Sequence, residues 1–323
     1  MRKPVRMLLF AGGAAVLVYL VSRIGVQVVV DMLRRVGWGF PIVTALYGVH
    51  IAVRALALWA TLKHLPCATL SYADVLRVRL SGEAVEMLTF TGPFLAEPAK
   101  GWLLAGCGVT GADAFGAVAI EYLLYTLVSS WMAAVALSVL LVRGVLPQAM
   151  RAPIVAVIAG LIAFTLGCIV AAVLEVGLIE RIVRALGQVI GRERTERVSV
   201  RIAPVEKVLV GFMHAQPGGL FQVLTIEAAG HALLAMEIWI VIQALALPAR
   251  PSDPFVVEGG VKFISAAFFF IPGQIGASES VYAFLFDLLG LTAAAGLTMA
   301  LVRRVRALII AGAGLGVLAL FKS

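Results

Sequence analysis

The sequence predicts an all-α polytopic membrane protein: six full transmembrane helices plus two re-entrant helical hairpins, arranged as an approximate inverted repeat. Three observations lead there. Apolar residues make up 62% of the 323 and charged residues 14%, with a mean hydropathy of +1.03, well beyond what a water-soluble core of this length needs. Apolar runs able to cross a hydrocarbon layer of about 30 Å, which takes about 20 helical residues, occur at 8–30, 41–62, 112–142, 153–175, 220–247 and 291–320. Two more apolar stretches, 80–106 and 260–289, are broken by Pro, Gly and acidic residues, so neither reads as a continuous lipid-facing rod.

Taken in order, Arg2, Lys3 and Arg6 precede the first apolar run as in a signal peptide. The run continues from Leu8 to Val30 without a small-x-small cleavage site, so it reads as a retained span. No stretch of soluble composition exceeds roughly 45 residues, too little for a separate catalytic domain. One domain, 1–323, is expected: a first half 1–175, a cytoplasmic amphipathic connector 176–216 and a second half 217–323. Within the connector, 178–191 sets Leu178, Ile182 and Leu186 opposite Arg181 and Arg184, which fits an interfacial helix or a solvated linker.

Lys and Arg test the topology, because short cytoplasmic loops hold an excess of them. With the N-terminus inside, fifteen fall on the cytoplasmic side, among them Lys63, Arg77, Arg79, Lys100, Arg192 and Lys207; Arg34, Arg35, Arg143, Arg151, Arg250 and Lys262 fall outside. Both termini are then cytoplasmic, in a bacterial inner (plasma) membrane. The net charge of +8 is thus a topology signal that also favours anionic lipid head groups; nucleic acid is not implied. No cofactor or metal is expected. Gly12-Gly13 and Gly259-Gly260 lack the Walker pattern, and Cys67, Cys107 and Cys168 are too scattered for a disulfide framework or a zinc cluster.

The two breaks carry the chemistry. Residues 82–100 place Glu83, Glu86, Glu97, Pro93, Pro98 and Lys100 in an apolar frame, and 268–279 hold Pro272, Gly273, Gly276 and Glu279. Such prolines read either as kinks in full spans or, with Glu97 and Glu279 beside them, as helix–break–helix units. Broken helices in each half point to a site between repeats, and half-helix N-termini suit a phosphate or carboxylate head group. Other charges in apolar segments are Arg54 with His50, Glu121, Glu227 with His231, Glu237, Asp287, Arg303, Arg304 and Arg306. A charge at mid-bilayer costs about 2.5–3.5 kcal/mol, so each is expected to be paired or to face a cavity. Arg303 and Arg306 share a helix face; they bind a head group or pair with Glu279, Asp287 or Glu97. Glu227 and His231, one turn apart, fall short of a metal site without a third ligand and read as a helix contact. Trp38, Trp102, Trp131 and Trp239 read as interfacial or packing residues.

The pair GPFLAEPAK (92–100) and IPGQIGASES (271–280), followed by GLTAAAGLTMALVRRVRALI (290–309), resembles the lysylphosphatidylglycerol synthase transmembrane, or flippase-like, family over most of the chain. Pro93, Glu97 and Lys100 match its first element, with Lys for Arg; Pro272, Gly273, Gly276 and Glu279 match its second. The run at 301–306 is similar to the hopanoid-associated branch. The resemblance implies a protein that moves or positions a lipid, a hopanoid or an anionic phospholipid, across the membrane. Glu83 and Glu86 depart from the family pattern. The aminoacyl-transferring domain of the synthases has no counterpart in these residues, so lipid aminoacylation is not expected. The expected substrate-binding set is Glu83, Glu86, Pro93, Glu97, Lys100, Pro272, Gly273, Gly276, Glu279, Arg303 and Arg306. Protonation of Glu83, Glu86, Glu97 or Glu279 is a candidate coupling step.

Two rival functions remain at this level. A lipid-modifying membrane enzyme would use the same carboxylates, yet no Gly-x-Ser-x-Gly, His-Glu-x-x-His or paired aspartates occur, so no enzyme is expected. A scaffold for lipid-synthesis enzymes would use the basic 178–207 segment as its docking site.

Overall fold

The computed structural model describes residues 26–66, 70–88, 93–174, 177, 192–267 and 277–320, and every regular element among them is an α-helix. They are α1 Val26–Val36, α2 Gly39–Lys63, α3 Tyr72–Leu88, α4 Pro93–Gly106, α5 Gly111–Val142, α6 Gln148–Val173, α7 Arg192–Ala215, α8 Pro217–Ala244, α9 Asp253–Ala267, α10 Ala277–Leu288 and α11 Ala293–Leu320. Four of them, α2, α5, α6 and α8, are long and apolar enough to cross a membrane, and they coincide with four of the six expected spans. α11, at 28 residues, is equally long, but Arg303, Arg304 and Arg306 set its composition apart. The 8–30 span lies largely outside the described residues; its end falls in α1, which runs on through Asp31, Arg34 and Arg35.

Each broken region corresponds to two short helices. Their 17, 14, 15 and 12 residues amount to about 26, 21, 22 and 18 Å at 1.5 Å per residue, all short of a 30 Å layer. The first arm of each pair starts earlier than the sequence suggests, at Tyr72 and Asp253, because polar Asp74, Arg77, Arg79 and Glu258 were counted against a buried helix. Pro93 is the first residue of α4, where its missing N–H leaves nothing unsatisfied. Pro272, Gly273 and Gly276 lie outside the described residues.

Turn chemistry closes the elements. Thr110 caps α5, its hydroxyl accepting from the Asp113 amide. Just beyond α5, Gly144 takes φ +67, a left-handed conformation that glycine adopts without a Cβ penalty.

The packing repeats itself. α2 lies against α8; α3 packs on α11 while α5 packs on α9; α4 packs on α5 while α10 packs on α11. The series α2 to α5 therefore meets the series α8 to α11 by a one-for-one exchange of partners. The two crossed junctions are closed by glycine. A Cβ on Gly314 of α11 would stand 2.3 Å from the Leu80 carbonyl of α3, and one on Gly259 of α9 would stand 2.6 Å from the Met132 carbonyl of α5. Close backbone approach through small residues is how helices associate where lipid offers no hydrophobic driving force. Around the second junction Ile238, Ile242, Val256, Val257, Leu285, Phe286 and Met299 form the largest apolar core. The α5–α9 junction also carries an ion pair at its edge, Arg143 to Asp253 at 2.6 Å.

Two expectations about the middle of the chain change. Segment 178–191 lies outside the described residues, but 192–215 is no free connector: α7 packs along α5, Phe212 is buried, and Val208 fills the space over Gly116. α6 stands apart, packing chiefly on α5 with a lighter contact to α7, and Val155, Ile162, Leu166, Ile169 and Val173 face outward.

The glycine junctions yield a stability test. Gly314→Ala and Gly259→Ala should each lower stability by about 1–3 kcal/mol through overpacking, whereas Gly312→Ala, with open space around its Cβ position, should not. Thermal unfolding in detergent compares the three; equal midpoints would contradict the junction assignment.

Candidate functional site: a closed ring of buried charges

The first-half charges converge on one carboxylate. Glu121 of α5 accepts from Arg54 of α2 and, on the same oxygen at 3.3 Å, from Arg79 of α3. Lys100 of α4 reaches its other oxygen at 3.7 Å. Arg79 also donates to Glu83 one turn on, at 2.8 Å, and Lys100 lies 2.6 Å from Glu97. Arg54 turns its Nε toward Glu227 of α8 at 3.5 Å. Glu121 and Glu227 are wholly buried, Arg79 and Lys100 almost so.

The second half repeats the scheme with the signs exchanged. Arg303 of α11 sits between Glu258 of α9 at 2.6 Å and Glu237 of α8 at 3.1 Å. Glu258 pairs with Lys262 one turn on, at 3.4 Å. From α10, Tyr282 accepts from Arg303 at 2.6 Å, occupying the place that Lys100 holds in the first half. Arg306 donates to Glu237 at 2.8 Å. Glu121 and Arg303 each stand ten residues after the first residue of their helix. One half thus has an acid gripped by bases from the preceding long helix and the first short arm; the other has a base gripped by acids from the same two places.

Tyrosines join the halves. Tyr47 of α2 donates to Glu83 at 3.1 Å and receives the Arg306 guanidinium over its ring at 3.5 Å. Tyr125 of α5 accepts from Lys262 at 2.8 Å and has Arg54 over its ring at 3.7 Å. The contacts close on themselves, running from Arg306 through Tyr47, Glu83, Arg79, Glu121, Arg54, Tyr125, Lys262, Glu258, Arg303 and Glu237 back to Arg306. The neighbouring histidines are anchored by backbone: His50 Nδ1 donates to the Gly230 carbonyl at 2.9 Å and His231 Nδ1 to that of Glu227 at 2.8 Å. His231 Nε2 then accepts from Ser129.

Taking so many charges out of water is tolerable only with mutual pairing. The ring also has an accessible rim. Glu83, Glu97, Lys262, Arg303, Glu279 and Arg304 keep between 10% and 17% of their side-chain surface, and Glu86 is half-buried. These are the charged groups of the network that a molecule from outside could reach, and the fully buried ones hold them in place.

The expected site residues are only partly gathered. Glu83, Glu86, Glu97 and Lys100 cluster on the first arm pair. Arg303 and Arg306 lie in the second half but pair with Glu237 and Glu258, where Glu279, Asp287 or Glu97 were expected; Asp287 is exposed, and Glu279 pairs with Arg304 at 2.8 Å. Arg79, counted as a cytoplasmic charge, and Lys262, counted as external, are members of the ring, and Lys100, also counted as cytoplasmic, is buried against Glu121 of the ring. Glu258, Tyr47, Tyr125 and Tyr282 were missed. The i,i+4 spacing of Arg79 with Glu83 and of Glu258 with Lys262, inside apolar frames, was the available signal. Among the described residues no group of three His, Cys, Asp or Glu is placed to hold a metal, and Glu227 and His231 form the helix contact.

A family model described as the lysylphosphatidylglycerol synthase TM region matches residues 6–314. The chain belongs to that family. The match spans every ring residue in both halves, so the network sits within the transmembrane region of a lipid-handling family. No curated protein and no solved structure matches the chain.

Removing the hub should be far more damaging than removing a surface pair. Glu121→Ala takes the shared carboxylate from Arg54, Arg79 and Lys100 in a fully buried position and should cost about 3–5 kcal/mol. Arg77→Ala, which breaks an exposed contact to Asp74, should stay within about 1 kcal/mol. Unfolding midpoints in detergent decide; similar losses would mean that the ring does not hold the fold.

Proposed function

We propose that the protein is a flippase-like transporter that moves or positions a lipid across the membrane, and not an enzyme. The observation that carries this reading is the charge ring, a polar pathway of ion pairs at the meeting of two matched helix series inside an apolar bundle. In this reading α2 to α5 and α8 to α11 are inverted repeats, and the pairs α3/α4 and α9/α10 are re-entrant hairpins that bring polar groups to mid-bilayer depth. The setting is a bacterial inner membrane, with both termini cytoplasmic.

The lipid enters from the side, its tails remaining in hydrocarbon while its head moves along the rim. Lys262, Arg303 and Arg304, balanced by Glu279, receive a phosphate or other anionic group; Glu83, Glu86 and Glu97 receive hydroxyls or an amine. A hopanoid or an anionic phospholipid fits that mixed rim. Ion pairs suit such a path because a head group exchanges one partner for another without leaving a bare charge. Rocking of one series against the other about the glycine junctions then exposes the rim to alternate faces.

Reconstitution into liposomes with labelled lipid tests the reading. Wild-type protein should speed leaflet exchange, and Glu97→Gln and Glu279→Gln should each slow it by about tenfold, the loss expected for one charge-assisted contact. Wild-type rates in both variants would remove these residues from the site, and chemically altered lipid in the product would point to an enzyme.

A further inference from the structure

One carboxylate where the two helix series meet is held more weakly than its neighbours. Arg79 has Glu83, Lys100 has Glu97 and Arg54 has Glu121, each within ion-pair reach. Glu227 of α8 has no base to itself. It is wholly buried, and its one charged contact is the Arg54 Nε at 3.5 Å, shared with Glu121. Neither of its oxygens has a hydrogen-bond partner. An ionised carboxylate in that position would lie out of bulk water with no protein donor on either oxygen, a costly state for such a group.

The neutral acid removes the difficulty. Glu121 keeps one oxygen, Oε2, without a hydrogen-bond donor, beside Glu227 across the shared arginine. A proton on Glu227 supplies an O–H to be accepted there. We propose that Glu227 is a proton-binding site, an acid paired with the Glu121 carboxylate, and that its proton is the one exchanged as the two helix series move. The proton is taken from water on one side when Glu227 is reached and returned to water on the other, with no other bond changed. The coupling to lipid movement rests on the transport reading; the bound proton does not.

The surroundings fit a group that both holds and releases a proton. Arg54 of α2 touches it and is shared with Glu121 of α5, which Arg79 of α3 also reaches; around that pair His50 bonds the Gly230 carbonyl, Tyr125 lies under Arg54 and accepts from Lys262 of α9, and His231 lies one turn along the same helix. α7 contributes the apolar Phe212 to that level, and the α11 arginines are engaged by Glu237. The contact between Arg54 and Glu227 also joins the two series beside the ring, so separating them withdraws the cation from Glu227 and changes its hold on the proton.

Infrared difference spectroscopy of the purified full-length protein reads the proton directly. At neutral pH the wild type should show the carbonyl stretch of a protonated carboxyl, displaced in heavy water, and Glu227→Gln should lose it. Glu227→Asp should keep an acid band at a shifted frequency, which preserves the test if the glutamine variant does not fold. A wild-type band unchanged in both variants overturns the proposal. In a second arm, labelled phospholipid vesicles carrying the protein are given a transmembrane pH difference. Faster wild-type exchange with the gradient, lost in Glu227→Gln, supports coupling, and wild-type exchange indifferent to the gradient overturns it. Absence of any wild-type exchange defeats the transport reading while the infrared result stands.

Discussion

Charge matching in a low-dielectric interior is the constraint on which this structure depends. Each arginine, lysine and glutamate placed in the apolar bundle needs an opposite neighbour within reach, and that neighbour must be delivered by another helix or by the next turn of the same one. Satisfying Glu121 requires α2, α3, α4 and α5 to converge; satisfying Arg303 requires α8, α9, α10 and α11 to do the same. The apolar contacts give the bundle its cohesion, but the ion pairs choose which helices stand together and at which level.

The short arms follow from the same requirement. The long helices α2, α5 and α8 hold Arg54, Glu121, Glu227 and Glu237 on buried faces, and the short arms add the opposite charges from a second direction. A pair of arms, each well under the layer's thickness, brings charged turns to the centre of the bundle with protein around them. The exchange of partners, α3 onto α11 and α5 onto α9, seats each arm pair against the other series, and glycine at both junctions lets the backbones come close enough for side chains one turn away to reach across.

Much of this was legible in the residues. The apolar runs that became α2, α5, α6 and α8 carry too few charges to compete with the membrane reading, and the prolines at 93 and 272 marked the two interrupted regions. The misreadings share a cause. Arg79, Lys100 and Lys262 were read as loop charges because a charge near a break looks the same whether it faces water or a buried carboxylate several dozen residues away. The partner of Arg79 one turn on is visible locally, but Glu121 as the common hub for Arg54, Arg79 and Lys100 is a long-range fact that no local spacing encodes. Likewise two of the partners expected for Arg303 and Arg306, Glu279 and Asp287, were near in sequence, whereas Glu237 and Glu258 come from α8 and α9. The helix at 192–215 was missed as a packed element because its many charges mask the apolar stripe that ends in Val208 and Phe212.

α6 belongs to neither series, and the circuit of ion pairs does not pass through it. Its 26 residues, about 39 Å of helix, exceed a 30 Å hydrocarbon layer and are held mainly along one side, by α5. A helix so attached accommodates thicker or thinner bilayers by changing its tilt, at a small cost per ångström of mismatch. The charged centre can therefore keep its geometry while bilayer thickness varies, with the adjustment taken up at the periphery.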